Sequence, residues 1–330
     1  DLGGASVIQK PWAFETPAIL STTPATGAPT ATASFDSATR TLVVTIASAS
    51  MAQQTQHSFT ITNVRTPSSA IHANAVVATT QDTADKNVDT TSSMATDQIV
   101  VGALSSATFA TATDTPGFES LATVTFTTAG RVETGGKVVL VMPAESGAQH
   151  SWRFTDGGSP STETSGTSNA PTIAFTTPSS STPTASSVGY TLGTRTLIFT
   201  VGANDLAQAT QHVFTISNVH TPSSIVDATT MQATVRDSTD KNIDTTSGMV
   251  VDQIAAGSFT GARSFDTATD TPGVKDTVTL SFTPTGAIHV GGSIEIVMPT
   301  LAGVQSQWSF ETPSASWTTP STRRSPKRSR

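Results

Sequence analysis

Apolar positions along this 330-residue chain fall in short alternating runs rather than helical stripes. Ala122–Thr127 turns Val124 and Phe126 to one face, and Ser151–Phe154 turns Trp152 and Phe154 the same way. Thr172–Phe175, Thr196–Val201, His212–Ser217 and Met231–Arg236 alternate in the same manner. A period of two marks strands with one buried face. Lys137–Met142 is too continuously apolar for a strand with a wet face and reads as central in its sheet. Gly, Pro and Thr clusters separate the runs. Pro143, Pro178 and Pro222 stand just beyond run ends, where a missing N–H costs no ladder bond. Only Ala203–Gln211 reads as briefly helical, whereas a parallel α/β fold needs an amphipathic helix between successive strands. The pattern predicts an all-β fold of Greek-key sandwiches.

The same pattern repeats. Residues 55–71, TQHSFTITNVRTPSSAI, match 210–226, TQHVFTISNVHTPSSIV, at an offset of 155. That offset also pairs Asp85-Lys-Asn-Val-Asp with Asp240-Lys-Asn-Ile-Asp. One residue of slippage later, Thr111-Ala-Thr-Asp-Thr-Pro-Gly matches the run from Thr267, and Gly135–Pro143 matches Gly291–Pro299. Trp-x-Phe occurs three times, at Trp12/Phe14, Trp152/Phe154 and Trp308/Phe310, while the rest of the repeat occurs twice. A period of this length belongs to a duplicated domain, not a solenoid. The expected organisation is a partial sandwich over 1–102, a complete one over 103–256, the opening strands of another over 257–320, and a basic tail over 321–330. The partial pieces are complementary. Left alone they would expose apolar faces and strand edges, so 257–320 is expected either to fold back on 1–102 or to complete a neighbouring subunit. The Trp-x-Phe segments, competing for one slot in a self-closed chain, favour the neighbour. Trp12, Phe14, Trp152, Phe154, Trp308 and Phe310 are thus the candidate assembly residues.

Composition narrows the setting. The chain holds 63 Thr and 41 Ser, no Cys, and only 12% charged residues. No apolar run reaches the length of a membrane-spanning helix, and the absence of Cys excludes disulfide staples. Residues 323–330 hold five of the 17 basic residues, leaving 12 basic against 24 acidic residues over 1–322. An acidic body argues against a nucleic-acid surface. The tail reads as a disordered end or a processing site for a basic-residue protease, with a nuclear or polyanion-binding signal as the second reading. The chain opens on Asp1 without an initiator Met or signal peptide, as a trimmed product or part of a longer protein would.

Three stretches carry a resemblance: Thr-Val-Thr-Phe-Thr-Thr at 123–128, Gly-Gly-Lys-Val-Val-Leu-Val-Met-Pro at 135–143, and Phe-Thr-Ile-Ser-Asn-Val-x-x-Pro at 214–222. The chain resembles the Ig-like repeats of large secreted surface and fibre proteins of algae, other aquatic protists and some bacteria. The resemblance covers nearly the whole chain. It implies tandem sandwiches in glycosylated extracellular fibrils or coats, and it carries over no catalytic residue.

Candidate chemistry is sparse. Asp85, Asn87 and Asp89, and again Asp240, Asn242 and Asp244, have the alternate spacing of calcium-loop oxygen ligands. Both sites lack the loop's sixth-position Gly and twelfth-position Glu, so a polar turn after a strand is the plainer reading. Calcium is the only cofactor the sequence suggests. Asp114-Thr-Pro-Gly and Asp270-Thr-Pro-Gly read as turns with Pro early and Gly late, and His57 and His212 as caps on an apolar face. No nucleophile elbow, phosphate loop or acid–base carboxylate pair stands out among the seven Glu, so no enzyme is expected.

The Thr/Ser/Pro clusters say more. They predict O-glycosylation at Thr22, Thr23, Thr26 and Thr30, at Thr176, Thr177, Ser179, Ser180, Ser181, Thr182 and Thr184, and at Thr318 and Thr319. Pro24, Pro29, Pro178 and Pro183 would carry sugar if hydroxylated. No Asn-x-Ser/Thr sequon occurs. The sequence therefore reads as an extracellular or cell-surface structural protein whose partners are copies of itself, in a head-to-tail homopolymer, and covalent glycans. The alternative is a cell-surface adhesin or glycan-binding module with loops holding a ligand, with or without calcium.

Overall fold

The structure is a computed structural model that describes residues 10–23, 29–145, 147–154, 171–304 and 306–311. It is all-β, with no α-helix among the described residues. Its contacts divide it into Asp1–Ile288, which holds every strand, and His289–Arg330.

The first copy of the repeat forms β1 (Ala13–Phe14), β2 (Ile19–Thr23), β3 (Ala31–Asp36), β4 (Thr41–Ile46), β5 (Ser58–Ile61), β6 (Val64–Arg65), β7 (Asn74–Gln81) and β8 (Asn87–Thr96). These pair only as four separate two-stranded sheets, β1–β6, β2–β5, β3–β4 and β7–β8. The middle copy opens with β9 (Gly102–Ala103), β10 (Ser105–Thr111), β11 (Glu119–Thr127) and β12 (Lys137–Val141). It continues with β13 (Arg153–Phe154), β14 (Ile173–Thr177), β15 (Ala185–Thr191), β16 (Thr196–Val201), β17 (Gln211–His220), β18 (Thr229–Arg236) and β19 (Asn242–Val251). All eleven belong to one sheet in the order β13-β17-β11-β10-β19-β18-β12-β16-β15, with β14 also on β17 and β9 on β19. The sheet nearly closes into a barrel. Within it β10 pairs in parallel with β19, Thr108 opposite Val250 and Phe109 opposite Val251.

The enclosed core is aromatic. Phe175 and Phe199 pack on Phe214 at centroid distances of 4.9 and 5.2 Å, and Phe109 meets Trp152 edge-on at 5.5 Å. Tyr190 contacts Phe154 at 4.8 Å and donates its hydroxyl to the Trp152 carbonyl at 2.9 Å. The Trp152 Nε1–H donates to Glu145 Oε1 at 3.0 Å, so both polar tips are satisfied as burial requires. The Trp152 and Phe154 placement expected from alternation holds. The helical reading of Ala203–Gln211 does not: Leu206 is buried in a bridge to Val132, and Asp205 is held by Arg131 and by the Thr134 backbone amide.

The two copies share a register down to their irregularities. Pairs Val76↔Met94, Ala78↔Thr91, Thr80↔Asp89 and Gln81↔Asn87 in β7–β8 become Met231↔Met249, Ala233↔Thr246, Val235↔Asp244 and Arg236↔Asn242 in β18–β19, with bulges at the same places. Left-handed backbone recurs likewise at Arg40 and Arg195, Asn63 and Asn218, and Asp85 and Asp240. What differs is cover. Val76 and Met94 are exposed, while Met231 and Met249 are buried. The third copy contributes β20 (Thr260–Thr267) and β21 (Val278–Thr283), whose pairs Ser264↔Ser281 and Phe265↔Leu280 reproduce Thr108↔Thr125 and Phe109↔Val124 of β10–β11. Residues 289–304 and 306–311 form no named strand; there the Gln307 side chain bonds both ways with the Leu301 backbone, at 3.0 and 2.8 Å.

Phe214 and Phe59 are the same residue of the repeat in two settings, buried and half-buried. In the monomeric chain Phe214→Ala should cost about 3–5 kcal/mol by urea unfolding. Phe59→Ala should cost roughly 1 kcal/mol or less, because little apolar area leaves water there.

Candidate assembly interface

The unfinished edges belong to identifiable strands. In the middle copy β17 pairs with β11, β16 and β18 both pair with β12, and β19 pairs with β9 and β10. Their counterparts β5, β4, β7 and β8 pair with no equivalent of β9–β12 among the described residues. Each therefore carries a row of backbone donors and acceptors with no strand beside it, next to apolar side chains such as Val43, Val64, Val77 and Val88. Such edges invite pairing.

The pieces flanking the middle copy attach at its two ends. Arg65 Nη1 donates to Glu133 Oε1 at 2.9 Å, with Lys10 Nζ 3.6 Å from Glu133 Oε2. The Ser68 hydroxyl donates to Asp237 Oδ2 at 3.2 Å. Glu133 follows β11, and Asp237 follows β18, whose Arg236 lies opposite Lys137, so both mark one end of the sheet. At the other end the Ala287 amide donates to the Gly117 carbonyl at 3.0 Å, just before β11, where Gly117 N also meets the Pro222 carbonyl at 2.8 Å.

Most of the predicted calcium residues are engaged by protein groups. Asp240 pairs with Lys137 Nζ at 2.7 Å, Asn242 Oδ1 accepts from Arg236 Nε at 3.2 Å, and Asp244 Oδ2 accepts the Ala129 and Gly130 amides at 2.9 and 3.0 Å. In the first copy Asn87 Oδ1 accepts from Gln81, and Asp89 Oδ2 from the Thr80 hydroxyl. Asp85 sits in left-handed backbone, as Asp240 does. Among the described residues no group of three or more His, Cys, Asp or Glu side chains gathers as a metal site would require. The turns are built instead by residues the sequence reading passed over. Asp82 Oδ1 accepts the Ala84 and Lys86 amides, and Asp237 Oδ1 those of Thr239 and Lys241. An Asp two residues before another turn residue is the signal that could have found them.

Asp244 is the notable group. It is fully buried, its Oδ1 has no hydrogen-bond partner, and a Cβ at Gly102 would overlap that oxygen. Burial raises its carboxyl above the ordinary 3.8, against the lowering effect of the Gly130 and Ala129 amides. His212 is buried too. Its Nε2 lies 3.3 Å from the Ala207 carbonyl, and desolvation lowers its pKa despite that bond. His57 Nε2 meets the Ala52 carbonyl in the same way at 3.2 Å.

The remaining candidates divide. Phe14 stacks on Phe35 at 5.0 Å, Trp12 is half-buried, and Trp308 and Phe310 are about half exposed. Ser179, Ser180 and Ser181 are exposed, as are Thr30, Thr176 and Thr184; Thr177 and Thr182 are half-buried, and the Thr182 hydroxyl donates to the Pro178 carbonyl. Pro183 is buried. Thr22 and Thr23 belong to the β2 backbone, while Thr26, Thr318, Thr319 and Pro24 lie outside the described residues. A small cleft of about 260 Å³ is lined by Ile225, Asp227, Gln253, Ile254, Ala255 and Ala256, with a single carboxylate and no cation.

No protein-family model, curated protein or solved structure matches this chain.

A carboxyl raised on folding binds its proton more tightly in the folded state. The stability that Asp244 removes at neutral pH therefore returns as pH falls from its raised value toward 3.8. Urea midpoints measured across that window should show this gain in the parent chain and its absence in Asp244→Asn. Gly102→Ala should destabilise the middle copy by about 1–3 kcal/mol, because the added methyl must displace the Asp244 carboxylate.

Proposed function

We propose that this chain is a structural subunit of an extracellular filament or surface appendage, built from Ig-like Greek-key sandwiches and polymerising head to tail by strand donation. In this reading β20, β21 and the run Ser293–Met298, which repeats Lys137–Met142, complete the first-copy hairpins of the next subunit. The two half-sandwiches together make one whole. O-linked sugars on exposed hydroxyls such as Ser179–Ser181 keep the sparsely charged surface soluble.

One observation carries the proposal. The first copy is tied to the Glu133 end of the middle sheet, and the third copy to the Gly117 end. Between these points runs β11, nine residues long, or about 27 Å at the usual rise. The donor strands are held away from the hairpins of their own chain, which leaves a second copy to supply the match. A head-to-tail contact of this kind has no reason to close and extends into a filament.

The purified chain should sediment as concentration-dependent polymers and appear as filaments in electron micrographs. Deletion of 257–330 should leave a monomer with a folded middle sandwich. Hydrogen exchange at β7 and β8 should be fast in that monomer and slow in the polymer. A parent chain that stays monomeric at all concentrations, with β7 and β8 protected, would sink the proposal.

A further inference from the structure

Resting on that reading, we propose that Asp89 sets the register of the intersubunit joint: its carboxylate accepts the Thr285 and Gly286 amides of a second copy and lies against that copy's Gly257. The middle sandwich supplies the template. Asp244 of β19 faces Gly102 of β9 in a parallel pair and takes the Ala129 and Gly130 amides from the loop after β11. Each member has a counterpart in the flanking copies. Asp89 stands for Asp244, with the same cross-strand partner position, Thr80 for Val235. Gly257 stands for Gly102 at the repeat offset of 155, and Thr285-Gly286 for Ala129-Gly130 one residue later, after Phe282 as Ala129-Gly130 follow Phe126.

Three features of the flanking copies fit this assignment. The Asp89 carboxylate is exposed, its single contact the Thr80 hydroxyl at 3.4 Å. The Thr285 and Gly286 amides donate to no group among the described residues, although their neighbour Ala287 does. Glycine recurs at both positions where the template tolerates nothing larger: a Cβ at Gly102 would overlap Asp244 Oδ1, and one at Gly130 would meet Ile243 Cγ2 at 2.7 Å. In the single chain Gly257 and Gly286 lie against Thr115 and Pro116, which must shift as Asp89 enters. The counterpart of Ile243 is Val88, 64% exposed and uncovered in the single chain. A one-residue slip of the donated strands would turn Asp89 away from both amides and bury an uncompensated charge, so the carboxylate rejects every register but one.

The chain has no Cys, so engineered thiols report on this joint without background. Asp89→Cys and Gly257→Cys are made in separate full-length chains, mixed and oxidised. The expected product is a disulfide-linked dimer of about twice 33.9 kDa, formed only in the mixture. Gly102→Cys with Asp244→Cys in one chain, which should close internally, serves as the geometric reference. Asp89→Ala should raise the critical concentration for assembly roughly ten- to a hundredfold, the scale of losing hydrogen bonds to a charged acceptor, without changing the melting of the middle sandwich. Polymers that grow normally but cross-link Asp89→Cys to Ser258→Cys instead of Gly257→Cys would overturn the register while leaving strand donation standing. A double Asp89→Cys/Gly257→Cys chain that closes on itself at high dilution would overturn the second copy as partner. Failure of the parent chain to assemble at all would overturn donation itself.

Discussion

Burial in this protein depends on three early strands. β10, β11 and β12 each lie against strands that come 60 to over 100 residues later, and every long apolar strand of the middle copy is covered because one of them is beside it. Where they pair, Met231, Phe214 and Val219 are buried; where no equivalent pairs, Val76 and Val64 are exposed and Phe59 is half-buried. The hairpins persist in both settings with the same bulges, since their register comes from local pairing and turns. The closed sheet is a long-range property, and hairpins without it are marginal.

This division explains which features were legible in the sequence. β11, β12, β16, β17 and β18 announce themselves by alternation or by continuous apolar character, and the inward placement read for Val124, Phe126, Trp152 and Phe154 holds. β19 was missed because Asn242-Ile-Asp-Thr-Thr-Ser-Gly reads as polar turn chemistry, although Ile243, Asp244, Met249 and Val251 are all buried. The carboxylate there accepts two amides over 100 residues upstream, which no local pattern encodes. β15 was hidden in a hydroxyl-rich stretch that resembles a linker, yet its Tyr190 caps the Trp152 carbonyl in the core. Ala203–Gln211 has helical composition, and tertiary contacts at Asp205 and Leu206 override it.

The repeat itself is what points to the proposed interface. A duplicated domain offers an internal comparison: among the described residues the same strands appear in one large sheet and as separate two-stranded hairpins. The sequence showed that the flanking pieces are complementary. The structure added where they are anchored, at Glu133 and Asp237 on one side and Gly117 on the other, and the proposed head-to-tail assembly rests on that placement.

The anchoring at opposite ends of β11 has a mechanical consequence. Tension applied between the two flanking pieces would run along that strand, while its hydrogen bonds to β10 and β17 lie across it. Bonds loaded in this direction share the force and must break together, unlike those of a hairpin pulled open from its turn. A fibre made of such subunits would resist stretching through the geometry of its sheets, with no covalent cross-link and no cysteine.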